Sequence, residues 1–123
     1  HGLPVRTDVY TLETALESEF TGGSGPRVAL LAEYDALPGI GHACGHNIIA
    51  TAALGAMLGL SAVAARLPGT VRLLGTPAEE KGGGKELMAR AGAFDGVDAA
   101  LMIHPAGVNL TAMPCICVAE VEV

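Results

Sequence analysis

The sequence has 123 residues, enough for one domain with a sizeable core. Half of the residues are hydrophobic but only 3% are aromatic, so we expect a core of Ala, Val, Leu and Ile. The net charge of −6, with no basic run, argues against nucleic acid or an anionic membrane surface as a partner. The three cysteines, an odd count at low density, indicate a reducing compartment and predict a cytoplasmic protein.

The first predicted elements are a loosely alternating stretch and a buried strand. Residues 9–20 alternate between apolar and polar side chains, and the Gly- and Pro-rich run 21–26 predicts a turn or loop. Residues 28–31 form a continuous apolar run, which is typical of a strand buried on both faces. After Asp35, the Pro38-Gly39 pair predicts a loop.

A long helix is predicted next, beginning near Asn47, a good N-cap residue, and ending before Pro68. Residues 48–65 carry no charge and approach the length that spans a membrane. They are rich in Ala and Gly and include two hydroxyl side chains, so they favour a buried helix of an α/β domain instead.

Two more apolar runs, residues 70–74 and 99–103, predict further buried strands, with a short helix at 85–91 between them. The alternation of strands and helices predicts a three-layer α/β/α domain with a parallel sheet. Gly82-Gly83-Gly84 lacks the Lys-Ser/Thr of a phosphate loop, so it indicates tight backbone packing rather than nucleotide binding.

Polar residues follow each of the three predicted buried strands. Asp35 follows the first strand, the Glu79-Glu80 pair follows the second, and His104 follows the third. Ligands of open α/β sheets bind outside the carboxyl ends of the strands. The sequence therefore predicts that these side chains converge at one edge of the sheet.

The loop before the long helix adds a thiol and imidazoles in the run Gly41-His42-Ala43-Cys44-Gly45-His46-Asn47. Cys44 and His46 are two residues apart, so both can reach one ion. Thiolate and imidazole suit Zn²⁺, Mn²⁺, Co²⁺ or Ni²⁺, and a carboxylate adds a harder ligand. Of the Glu79-Glu80 pair, one carboxylate can bind metal while the other takes a proton from water. Asp35 can orient an imidazole.

Each of these residues also has a purely structural interpretation. A lone buried Cys is usually a small hydrophobe, adjacent glutamates are usually a solvated face, and His104 alone can be a satisfied core histidine. A metal site is favoured for two reasons. Histidines flank Cys44, and the glutamates follow the end of an apolar strand. Cys115 and Cys117 have no other ligand type nearby, which favours a structural role; a thiol-redox protein is a weaker alternative because C-x-x-C is absent.

Four spaced motifs resemble those of a known family. They are Ala32-Glu33-Tyr34-Asp35-Ala36-Leu37-Pro38, the run from Gly41 to Asn47, Thr76-Pro77-Ala78-Glu79-Glu80, and Ile103-His104-Pro105. Together they resemble the metal-dependent aminoacylase/carboxypeptidase superfamily of zinc-exopeptidase-like fold. The nearest branch is that of the p-aminobenzoyl-glutamate hydrolases and Xaa-Arg dipeptidase-like members, for which Asn47 is typical.

This resemblance implies a site with two divalent ions, Zn²⁺ or Mn²⁺ with Co²⁺ or Ni²⁺ as alternatives. By position, Cys44, His46, Glu80 and His104 match metal ligands. Glu79 matches the general base, and Asp35 matches an acidic neighbour that supports the site. The implied reaction is hydrolysis of the amide bond of an N-acyl amino acid, an aminobenzoyl-glutamate-like compound or a dipeptide, through a metal-bound water.

The resemblance also implies parts that this sequence lacks: a further His ligand and an inserted lid and dimerisation domain. We therefore expect residues 1–123 to be the N-terminal half of a catalytic domain, and residues 113–123 to begin the connection to the lid. The missing initiator Met and the strand pattern that stops at Val123 favour a piece of a longer protein. The resemblance further implies a homo-oligomer for the full-length protein. The alternative to the hydrolase is a catalytically silent fragment that at most binds metal.

Overall fold

A computed structural model describes residues 1–112, in which an α-helix packs on each face of a five-stranded sheet. The elements, in chain order, are β1 (Arg6–Val9), β2 (Leu12–Thr21), β3 (Arg27–Glu33), α1 (His46–Ser61), a short 3₁₀ helix (Ala64–Arg66), β4 (Thr70–Thr76), α2 (Gly84–Arg90) and β5 (Ala99–Leu101). The spatial order of the strands is β1-β2-β4-β3-β5. The predicted start of a lid connection at 113–123, together with Cys115 and Cys117, lies outside the described residues.

The sheet is mixed rather than parallel throughout. β3 pairs in parallel with β4 and with β5, as predicted, but β2 runs antiparallel to both β1 and β4. The prediction of one alternating element over residues 9–20 is wrong, because the structure has two strands there, β1 and β2. Tyr10 and Thr11 adopt left-handed conformations, with φ of 56° and 65°, and they turn the chain between β1 and β2. This hairpin supplies the antiparallel strands.

The three-layer arrangement is confirmed by the two core clusters. Met57 of α1 packs with Leu30 and Leu73 on one face of the sheet. Met88 of α2 packs with Ala29 and Leu74 on the other face. These two residues are the sequence neighbours of Leu30 and Leu73, and adjacent side chains of a strand point to opposite faces. β3 and β4 therefore contribute apolar side chains to both layers, which explains their continuous apolar runs.

α1 begins one residue before the predicted N-cap and ends earlier than predicted. Its N-cap is Gly45 at φ 88°, not Asn47, and the helix ends at Ser61. A Cβ at Gly45 would lie 2.8 Å from Cγ of Pro105, so both the backbone conformation and the space favour glycine there. α1 is also less buried than predicted, because Ile48 and Leu54 are exposed in the described structure. Among residues 1–112, the helices fall short of the length and apolar character needed to cross a membrane.

β5 differs from the prediction in length and in burial. It covers three residues instead of 99–103, and all three are exposed. β5 pairs with β3 at an edge of the sheet, and within the described chain no element covers it. The strand still directs the chain that follows it toward the same end of the sheet as β3 and β4, which places His104.

Candidate metal centre

The predicted site residues meet at the carboxyl ends of the parallel strands. Glu33 and Thr76, the last residues of β3 and β4, are register partners, so the chain that follows each strand leaves the sheet at the same level. Asp35 follows β3, and the Glu79-Glu80 pair follows β4. The loop between β3 and α1 delivers Cys44, and His46 is the first residue of α1.

His46 is the central residue of the site, and Asp35 fixes its orientation. The imidazole is fully buried, and its Nδ1 lies 3.1 Å from Oδ1 of Asp35. Oδ2 of Asp35 accepts a hydrogen bond of 3.0 Å from the backbone N–H of Glu80. Burial acts to raise the pKa of Asp35, but these hydrogen bonds lower it below its usual range. The ionised carboxylate accepts the proton of Nδ1, so in the neutral imidazole that a metal ligand requires the lone pair is on Nε2 of His46.

A second imidazole is fixed in the same tautomer by a different partner. Nδ1 of His104 lies 2.8 Å from the carbonyl oxygen of Pro105. Because a carbonyl oxygen can only accept, Nδ1 carries the proton and Nε2 presents a lone pair. That Nε2 lies 3.5 Å from Sγ of Cys44, and the ring centroids of the two histidines are 6.0 Å apart.

The donor atoms are close enough to hold one ion. One ligand atom each from Cys44, His46 and His104 lie within 4.8 Å of one another. Nε2 of His46 and Oε1 of Glu80 are buried and have no hydrogen-bond partner among residues 1–112. A thiol, two imidazole lone pairs and an unpaired carboxylate oxygen form a donor set that fits a divalent metal of the zinc type.

The electrostatics around Cys44 also favour a cation. Burial raises the pKa of its thiol, and the nearby carboxylates of Glu80, Glu79 and Glu33 raise it further. These negative charges repel a thiolate, whereas a bound divalent cation would stabilise both the thiolate and the carboxylates. The cluster is therefore electrostatically complementary to a cation rather than to an anion.

The two adjacent glutamates differ in exposure rather than in distance. The nearest oxygens of Glu79 and Glu80 are each 3.6 Å from Nε2 of His46. The Glu79 side chain is 42% exposed, whereas that of Glu80 is 17% exposed. The less exposed carboxylate is suited to binding an ion, and the more exposed one can reach water.

The loop that carries these glutamates is held by close backbone packing. Ala78 adopts a left-handed conformation with φ of 59°, which is uncommon for a residue other than glycine. Gly84 donates a hydrogen bond of 3.1 Å to the carbonyl of Ala78, and a Cβ on Gly84 would overlap the carbonyl oxygen of Pro77. The tight packing predicted for the glycine run is confirmed at Gly84.

Two residues near the site were not predicted. Glu33 is buried at the end of β3 and lies 3.4 Å from Nε2 of His46. Lys85 of α2 forms an ion pair with it. The signal for Glu33 was a charged residue at the end of an apolar strand, but nothing in the sequence indicates its pairing with a lysine 52 residues away. His42 is exposed and belongs to neither group of metal donors found among the described residues.

Comparison with known proteins identifies the family to which this chain belongs. The sequence profile of peptidase family M20/M25/M40 matches residues 29–122. The chain belongs to this peptidase family. The family resemblance inferred from the four motifs is thereby confirmed, and the match covers most of β3 and every predicted site residue.

Several family members are similar to this chain in sequence. The Xaa-Arg dipeptidase of Mus musculus is 46% identical over 124 residues, which cover 93% of this chain and 29% of that protein. A subunit of the p-aminobenzoyl-glutamate hydrolase of Escherichia coli (strain K12) is 40% identical over 85% of this chain and 25% of that protein. The chain thus spans less than a third of the length of these relatives, and it corresponds to part of an N-terminal domain.

A solved structure supports the fold. The YXEP protein of Bacillus subtilis, described as a dinuclear metal binding peptidase from the M20 family, superposes with a TM-score of 0.73 and 32% identity. The superposition covers 80% of this chain and 32% of that protein. The described structure is therefore a partial M20-type domain, and it includes the sheet edge that carries the candidate metal ligands.

Proposed function

We propose that the intact protein is a metal-dependent hydrolase that cleaves the amide bond of an N-acyl amino acid, an aminobenzoyl-glutamate-like compound or a dipeptide. One observation carries the proposal: Asp35 and the Pro105 carbonyl each bind Nδ1 of one histidine, and His46 and His104 each offer a ligand atom within 4.8 Å of Cys44. Such an arrangement of soft and borderline donors, with carboxylates at its rim, suits a metallohydrolase.

In this proposal the metal ligands are Cys44, His46, Glu80 and His104. The metal is Zn²⁺ or Mn²⁺, and the intact protein holds two ions. The metal would polarise the scissile carbonyl and lower the pKa of a water molecule toward neutrality. Asp35 keeps Nε2 of His46 directed at the site, and its second oxygen fixes the backbone of Glu80.

Glu79 is the proposed general base. Its exposed carboxylate takes a proton from the attacking water as the new carbon–oxygen bond forms. It then returns that proton to the nitrogen of the leaving amine as the carbon–nitrogen bond breaks. The carboxylate is regenerated, so the cycle consumes one water and one amide and produces an acid and an amine.

The substrate class rests on the relatives. One is named for dipeptides that end in Arg, and another for p-aminobenzoyl-glutamate, and both substrates contain an amide bond. Because the chain spans under a third of these proteins, we assign turnover to the intact protein. The 123-residue chain on its own is proposed to bind metal without catalysis.

Metal removal tests the proposal most simply. We expect the intact protein to hydrolyse p-aminobenzoyl-glutamate or an Xaa-Arg dipeptide, to lose this activity on chelation, and to regain it when Zn²⁺ or Mn²⁺ is added. Mild thiol oxidation of the metal-loaded protein tests for a thiol-redox function. Oxidation would alter such a function, whereas chelation would leave it unchanged. Hydrolysis that survives complete chelation contradicts the metal mechanism, and turnover by the 123-residue chain contradicts its assignment as catalytically silent.

A further inference from the structure

The carboxylate of Glu33 lies directly behind the proposed metal ligands. Glu33 is the last residue of β3 and is 2% exposed. Its Oε1 accepts a hydrogen bond from Nζ of Lys85, and its Oε2 lies 3.4 Å from Nε2 of His46. Glu33, His46 and Glu79 each offer a ligand atom within 4.8 Å of the other two.

A ring nitrogen of His46 and a carboxylate oxygen of Glu33 therefore lie close together in the interior. Nε2 of His46 and Oε2 of Glu33 are 3.4 Å apart, and Asp35 occupies the other ring nitrogen, Nδ1. Neither atom has a hydrogen-bond partner among residues 1–112. Two buried polar atoms without partners are unfavourable, because each has lost the hydrogen bonds that water would make with it. A cation that both atoms contact removes this cost.

Lys85 explains why the Glu33 side chain is held in this orientation. Lys85 lies on α2, which follows the Glu79-Glu80 loop in sequence. Among the described residues, its ammonium group donates a hydrogen bond to Oε1 of Glu33 and not to Oε2. This contact offsets one negative charge in a cluster that also contains Asp35, Glu79 and Glu80. The second oxygen of Glu33 is left directed toward His46.

We propose that Oε2 of Glu33 and Nε2 of His46 share one divalent cation, which makes Glu33 a further ligand of the metal centre and Lys85 a positioning residue. This inference rests on the metal-dependent function proposed above. It adds a carboxylate oxygen to a donor set otherwise led by sulfur and nitrogen. Oxygen ligands suit Mn²⁺ better than Zn²⁺, so Glu33 should raise the affinity for Mn²⁺ more than that for Zn²⁺.

Metal affinity in Glu33→Gln tests this assignment. The Kd for Mn²⁺ and for Zn²⁺ is measured separately in the intact protein by competition with a chromophoric chelator. We expect Mn²⁺ binding to weaken by about ten- to a hundredfold, and Zn²⁺ binding by a smaller factor. Glu86→Gln on α2 is the matched control, since Glu86 is exposed and pairs with Arg90 alone in the described structure; it should leave both values unchanged.

The double variant Glu33→Gln/Lys85→Met distinguishes two roles of Glu33: a ligand of the metal, or only a counter-charge for Lys85. If Glu33 only neutralises the lysine, removing both charges restores wild-type Mn²⁺ affinity and overturns the proposal. If Glu33 contacts the ion, the double variant keeps its weakened Mn²⁺ affinity.

Glu33→Asp gives the same test should Glu33→Gln fail to fold, because it keeps the charge but shortens the side chain. Unchanged Mn²⁺ affinity in a folded Glu33→Asp overturns the proposal. Wild-type protein that binds neither metal would reject the metal site itself, whereas equal binding by wild type and Glu33→Gln rejects only the role of Glu33.

Discussion

Asp35 and His46 are joined by a contact of 3.1 Å between Oδ1 and Nδ1, at the point where the end of β3 meets the start of α1. The same carboxylate accepts the backbone N–H of Glu80 through its second oxygen. One side chain therefore aligns a ligand from α1 with the loop that follows β4. The alignment depends on an acceptor at both oxygens, which only a carboxylate provides.

Replacing Asp35 with Asn should disrupt this alignment with little change in volume. The amide keeps one oxygen, so either Nδ1 of His46 or the N–H of Glu80 would face an NH₂ group instead of an acceptor. We expect Zn²⁺ affinity to fall by about ten- to a hundredfold, measured by chelator competition. Asp8→Asn is the control, because Asp8 is exposed and Asn tolerates its positive φ of 55°. Unchanged affinity in Asp35→Asn would show that Asp35 does not orient the ligand.

Cys44 should be a thiolate ligand, and Co²⁺ substitution can report this directly. We expect the Co²⁺-loaded protein to show sulfur-to-metal charge-transfer absorption in the near ultraviolet, because Sγ lies beside Nε2 of His104. Cys44→Ser should abolish that absorption, whereas Cys115→Ser should retain it. Retention of the band in Cys44→Ser would assign the thiolate to another cysteine.

Gly84 should be required for the position of the Glu79-Glu80 loop. In Gly84→Ala the new Cβ would overlap the carbonyl of Pro77, so the loop must shift. We expect unfolding free energy to fall by about 1–3 kcal/mol and metal affinity to fall with it. Gly55→Ala is the matched control: it lies in α1 with no atom within 4 Å of a new Cβ, and it should stabilise by up to about 1 kcal/mol. Wild-type metal affinity in Gly84→Ala would contradict the positioning role.

Glu17 should stabilise the β1–β2 hairpin at neutral pH. It is 4% exposed and accepts hydrogen bonds from Arg6 and Tyr10, with Arg72 nearby. Burial acts to raise its pKa, but Tyr10, Arg6 and Arg72 lower the pKa below its ordinary value of 4.5. A lowered folded-state pKa means that this stabilisation is complete above the unfolded-state pKa and is lost as the pH falls through the folded-state pKa.

Glu17→Gln should therefore reduce the free energy of unfolding by about 1–3 kcal/mol at pH 7. The difference from wild type should shrink as the pH falls below 4.5. Urea unfolding followed by circular dichroism at a series of pH values measures both quantities. A difference that grows in acid would contradict the lowered pKa.

The sequence was informative about the site because the site lies at strand ends. Apolar runs identify β3 and β4, and the rule that ligands bind at carboxyl ends then brings Asp35, Glu80 and His104 together. Spacing alone brings Cys44 close to His46. These inferences need only the order of the elements, not their exact packing.

The errors arose where tertiary contacts decide the structure. The position of the N-cap depends on the approach of Pro105 to Gly45, and the exposure of β5 depends on its place at the sheet edge. The contact between Glu33 and Lys85 joins residues from two elements far apart in sequence. Such contacts leave no periodic signal, so composition and pattern do not predict them.

The identity of Glu79 as general base is the central claim, and the rate of amide hydrolysis by Glu79→Gln tests it most directly. The measurement uses the intact, metal-loaded protein, with metal content determined on the same sample. We predict that kcat falls by about a hundred- to ten-thousandfold while bound metal stays at the wild-type level, because Gln keeps the size of the side chain but accepts no proton. A metal-loaded Glu79→Gln with near-wild-type kcat would contradict the account.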